Sequence, residues 1–159
     1  MAFKIDNSRE LLKVVTKIDD AVDSSAENFE DIYKEYLEDL DESRLKFIEG
    51  KTPTRFMLKR NLKYEEHYDI RSRQFKMGDK KKGETSFNVA FTFDEVRIRL
   101  VGIENPPDEP GCIEYKADGS GGATKEVMEK LLSAGIVDDL FAALENDKKS
   151  KNKSINKKN

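Results

Sequence analysis

Cys112 and His67 are the chain's single thiol and single imidazole. A nucleophilic dyad would need them side by side, yet they stand 45 residues apart in unrelated sequence contexts. The plainer reading makes His67 a surface residue. Zinc has no better footing, because the usual clusters of Cys and His ligands are absent. Paired carboxylates recur at Asp19-Asp20, Glu30-Asp31, Glu65-Glu66, Asp94-Glu95 and Asp138-Asp139. In so charged a chain their frequency removes their specificity, and each reads first as a solvated face. The glycine-rich stretch 118–124 precedes a helix and superficially suggests a phosphate cradle. A Walker loop needs Gly-Lys-Ser/Thr, and the order here is Thr124-Lys125. The residues therefore predict no catalytic centre, no cofactor and no metal, and point to a protein that binds other macromolecules.

Charge segregation carries more information. Residues 1–50 hold 7 Lys and Arg against 14 Asp and Glu, whereas residues 51–82 hold 11 against 4. Residues 83–147 reverse the sign again, with 5 against 14, and residues 148–159 hold 6 against none. In the basic block, Arg60 and Arg71 are interleaved with Phe56, Tyr64, Tyr68 and Phe75. Cations among aromatics can hold single-stranded nucleic acid through phosphate contacts and stacking. The plainer reading is that the block neutralises its acidic neighbours, within the fold or between copies. The flanking acidic blocks would repel a polyanion within a Debye length. A protein partner is therefore preferred over nucleic acid. The candidate partner-binding residues are Phe56, Arg60, Tyr64, Tyr68, Arg71 and Phe75, with Leu140, Phe141 and Leu144 on the closing helix.

These residues need elements to position them. Leu11, Val14, Val15, Ile18 and Val22 follow helical spacing and predict a helix over 7–23. Phe29, Ile32, Tyr33, Tyr36, Leu37 and Leu40 predict a second over 26–40, with an acidic opposite face. A short extended piece is expected near 45–50, a strand at 55–59 and a thin-striped polar helix over 63–77. Residues 85–103 fit both patterns; their length favours a helix and their β-branched and aromatic content a strand. A strand is expected from Cys112 to Tyr115. Thr124 is placed to cap a helix running to Ala134, and Gly135 to stop it. A last helix is expected over 136–146. The Lys- and Asn-rich end, 148–159, has one apolar residue and is expected to be disordered.

The chain has 159 residues, of which 36% are hydrophobic and 38% charged, so a single domain with a small core is expected. Its parts would be an acidic helical segment over 1–50, a basic-then-acidic body over 51–147, and the tail. The fold class expected is mainly α, with one short hairpin or isolated strands. One cysteine excludes an internal disulfide. The early charges after Met1 and the lack of a long apolar run predict a soluble cytoplasmic protein without a signal peptide.

Three segments resemble small phage proteins of the tail-assembly-chaperone type. Thr52-Pro53-Thr54-Arg55-Phe56-Met57-Leu58-Lys59 looks like their opening. The stretch from Arg97 through Gly102 to Asn105 is similar to their central segment, a helix ending in a Gly-x-x-Asn-like turn. Ile136 to Asn146 looks like their closing helix. The resemblance covers about 52–146. It implies a non-catalytic protein in the host cytoplasm that coats a helical client such as a tape-measure protein and recruits tail tube subunits. A structural protein of the virion head, neck or tail is the rival expectation, and homo-oligomers fit either.

Overall fold

A computed structural model describes residues 11–62, 65, 68, 84–106 and 122–157; for 84–91 and 151–157 the description is of the backbone. The first element is a strand, β1 (Leu11–Val14), followed by α1 (Phe29–Asp39), a 3-10 turn (Glu42–Arg44) and β2 (Arg55–Lys59). Then come α2 (Glu84–Arg99), β3 (Leu100–Glu104), α3 (Lys125–Ser133) and α4 (Ile136–Lys157). The strands form one antiparallel sheet in the order β1-β2-β3. The expected mainly-α class is thereby corrected: the fold is α+β.

The centre of the sheet is β2, whose side chains alternate cleanly. Phe56 and Leu58 point into the core; Arg55, Met57 and Lys59 point away from it. Its neighbours supply matching rows. Val14 and Ile103 flank Phe56, and Leu12 and Leu100 flank Leu58. The β2–β3 register shifts after Met57, because Met57 faces Gly102 while Leu58 faces Leu100. Val101 is thus an extra residue, a bulge that turns the strand. A Cβ at Gly102 would stand 2.6 Å from the Met57 methyl, so the glycine lets Met57 lie across β3.

The helix expected over 7–23 is overturned for its described residues, from Leu11 on. Leu11, Val14, Val15 and Ile18 do recur at helical spacing, but Leu12 and Val14 also alternate about Lys13. Pairing of β1 with a strand more than 40 residues away decides the outcome. No local rule sees such a pairing. Residues 85–103 divide between both readings: helix through Arg99, strand from Leu100. The piece expected at 45–50 appears as an isolated bridge between Phe47 and Val22. The helix expected over 26–40 is α1, and Thr124 accepts from the Val127 amide at 3.4 Å to cap α3. Gly135, at φ +75, turns the chain directly into α4. That helix does not stop at 146, and the expected disorder of 148–159 is corrected for the described part. Residues 148–157 continue the helix, because adding a residue to an anchored helix needs no new nucleus and lysine is a good helix former. The expectations for 63–77 and 112–115 lie outside the described residues, apart from Glu65 and Tyr68, which are helical.

The main core lies between the sheet and α2, α3 and α4. It joins Val14, Phe56, Leu58 and Leu100 to Val96, Met128, Leu131, Leu140 and Leu144. Burying each such side chain is worth about 1.5–3 kcal/mol. A smaller cluster, built on Val15, Val22, Tyr33, Tyr36 and Leu45, sits beneath α1. Leu37 and Leu40 touch both, so α1 bridges the two.

Candidate interaction surface

Two buried tyrosines on α1 bind the segment that follows β1. The Tyr36 hydroxyl accepts the Val15 amide at 2.9 Å, and the Tyr33 hydroxyl donates to the Val15 carbonyl at 3.0 Å. Burial pushes the Tyr36 phenol up to about 12. Burial and the neighbouring Asp139 carboxylate drive the Tyr33 phenol higher still. Both hydroxyls therefore act as fixed hydrogen-bonding groups, and neither can serve as a base at neutral pH. Asp139 itself is shifted upward by burial, against the opposing attraction of Lys17.

Anchored through this face, α1 turns the other outward. Glu30, Asp31, Lys34, Glu35, Glu38 and Asp39 are all exposed. One cation interrupts five carboxylates. Lys17 reaches Glu30 at 3.8 Å, and Arg44 meets Asp39 at 2.7 Å and Glu35 at 3.5 Å. The Arg44 hydrogen bond holds the Asp39 carboxyl below its usual range. Behind α1, Arg55 grips both oxygens of Glu42, the closest contact being 2.8 Å. This joins the 3-10 turn to β2.

At the far end of β2 lies a cluster of buried and half-buried ionic groups. Arg99, 4% exposed, donates to Glu95 at 2.8 Å and to the carbonyls of Lys59 and Arg60 at 2.9 Å each. Lys148 approaches the other Glu95 oxygen at 3.4 Å. Arg60 makes a two-point contact with Asp147, at 2.9 and 3.3 Å. These pairs close the end of the sheet against α2 and α4. Arg99 and Glu95 are buried ions with partners, and the half-buried Arg60, Asp147 and Lys148 extend the cluster toward the surface, an arrangement that positions the elements.

Helix α4 then carries on past that closure. It runs in the same direction as α1, since Asp139 lies beside Tyr33 and the Asn146 amide donates to the Leu37 carbonyl at 3.1 Å. Helix α1 ends at Asp39, but α4 continues eleven residues beyond Asn146, or about 16 Å at helical rise. Lys149, Lys151, Lys153 and Lys157 lie on this extension.

The candidate residues read from the sequence divide accordingly. Phe56, Leu140 and Leu144 fill the main core, and Phe141 packs against it partly buried. Their apolar surface is used by the fold itself. Arg60 is engaged with Asp147. Tyr68 is 63% exposed, while Tyr64, Arg71 and Phe75 lie outside the described residues, as do His67 and Cys112. Sequence reasoning passed over Tyr33 and Tyr36 as functional supports and treated the lysines after 147 as part of a disordered end. The signal for the latter was their four-residue spacing. Among the described residues no group of His, Cys, Asp or Glu is arranged to hold a metal, and no helix is long and apolar enough to cross a membrane.

No known protein family matches the chain, and no curated protein or solved structure is detectably similar to it.

Proposed function

We propose that this protein is a non-catalytic binding protein of macromolecular assembly, acting as a phage-type tail assembly chaperone on a helical client. The observation that supports this most is the exposed acidic face of α1, held rigid from behind by the Tyr33 and Tyr36 hydrogen bonds to Val15. A stiff, three-turn acidic ridge is suited to a basic helical partner, because charge complementarity speeds encounter and fixes register. The apolar stripe of α4 is buried, so the client would be held through charge rather than through Leu140 and Leu144. The test is co-expression with the tape-measure protein of the same gene neighbourhood. The client is expected to move into the soluble fraction, and a D31K/E35K/E38K variant to lose most of that effect. A client equally insoluble with and without the protein would defeat the reading.

A second reading, nucleic-acid binding, is favoured by the lysines that α4 carries beyond the body. A gel shift against single-stranded DNA across salt concentrations tests it, since phosphate binding weakens steeply with salt. No shift at low salt would eliminate it.

A further inference from the structure

We propose that Asp139 and Tyr33 form a proton-operated catch on Val15. While the Asp139 carboxyl carries a proton, the Tyr33 hydroxyl is given to the Val15 carbonyl; when the carboxyl ionises, that hydroxyl turns to it instead. The catch is independent of which partner the α1 face takes.

A tyrosine hydroxyl has one proton to give and two lone pairs to offer. Lys17, Val15 and Asp139 all meet the hydroxyl of Tyr33. The Lys17 amide donates to its oxygen, while the Val15 carbonyl, at 3.0 Å, and the Asp139 carboxyl both lie within its hydrogen-bonding reach. With Asp139 protonated, every group is served. The acid O–H and the Lys17 amide fill the two lone pairs, and the Tyr33 proton goes to Val15. With Asp139 ionised, two acceptors compete for that one proton. Hydrogen bonds to a charged acceptor are roughly twice as strong as those between neutral groups, so the carboxylate takes it. The Val15 carbonyl, on a fully buried residue, then loses its Tyr33 donor.

Among the described residues, the charged and titratable groups that face Asp139 are Lys17 after β1, Glu30 and Tyr33 on α1, and Asp138 on α4 itself. Lys17 favours the carboxylate, but its ammonium is shared with Glu30 at 3.8 Å. Burial, Asp138 and Glu30 favour the acid, and they prevail. The Tyr33 ring packs against Phe29 and Tyr36, with centroids 6.1 and 5.7 Å away, so only the hydrogen turns. Tyr36 takes no part, because its oxygen accepts the Val15 amide in both states. Ionisation of Asp139 therefore releases one of the two phenol contacts by which α1 grips Val15 and leaves the other in place.

Carbon NMR on the full chain, labelled at the backbone carbonyls and the aspartate carboxyls, tests the catch. As pH rises through the midpoint of Asp139, the Val15 carbonyl carbon is expected to move upfield with that same midpoint, the direction that marks loss of a hydrogen bond. D139N still donates to Tyr33 and never ionises, so it should hold the Val15 signal at its low-pH position throughout. Y33F should hold it at the upfield position throughout. Amide spectra show whether each variant is folded, and the wild-type titration decides without them if one is not. A Val15 carbonyl that stays still while Asp139 titrates would overturn the proposal, as would an unchanged movement in Y33F. Client solubilisation is read separately, and its failure leaves this titration as it is.

Discussion

Arg99 shows how much one side chain holds at the closed end of the sheet. It is nearly inaccessible, with a carboxylate and two backbone carbonyls as partners. Replacing it by methionine preserves most of its volume but leaves Glu95 with only Lys148 at 3.4 Å and strands both carbonyls. Urea unfolding of R99M is expected to show a loss of about 3–5 kcal/mol, the usual cost of removing one partner of a buried ion pair. Asp139 poses a different problem, because its carboxyl is shifted upward from 3.8 chiefly by burial. The folded state then keeps its proton to higher pH than the unfolded chain does. Relative to D139N, the wild type is expected to lose stability as pH rises from 3.8 through the folded pKa, and to change no further above it. Thermal melts of the two proteins across that range measure the difference. An advantage for the wild type that grew with pH would contradict the assignment.

Elements differ in how far they could be read before folding. Phe56 and Leu58 alternate with charged or flexible neighbours, and Thr124 and Gly135 bracket α3, so β2 and α3 follow from local rules. Strand β1 does not. Leu11, Val14 and Val15 satisfy a helix and a strand alike, and only a distant pairing separates the two. The acidic face of α1 was visible as Glu30, Asp31, Glu35 and Glu38 opposite an apolar stripe. The ion pairs at the end of the sheet were not, because Arg60 and Asp147 stand 87 residues apart. Glycines test the packing of these elements directly. A Cβ at Gly122 would stand 2.8 Å from the Arg97 carbonyl oxygen, on backbone at φ +144 that L-residues rarely adopt. G122A is therefore expected to cost about 2–4 kcal/mol in denaturant unfolding. At Gly102 the obstacle is only the tip of Met57, which can swing aside, and G102A should cost less than about 1 kcal/mol.

At the scale of the whole molecule, stability and display are divided between regions. The body is held by its two apolar clusters and the ion pairs that end at Lys148. The turns of α4 beyond it follow from the helix already anchored. Truncation after Lys149 is expected to lower helical ellipticity in proportion to the residues removed. The melting temperature should move by less than about 2 °C; a larger fall would place those turns among the stabilising contacts. The clasp of two phenols on Val15 has a further consequence, which hydrogen–deuterium exchange can read. The Val15 amide belongs to no ladder position, yet it is sealed where the two clusters meet. It should exchange as slowly as the amides of β2, and so report unfolding of the entire chain. Without the Tyr36 hydroxyl, that slow proton should become a fast one.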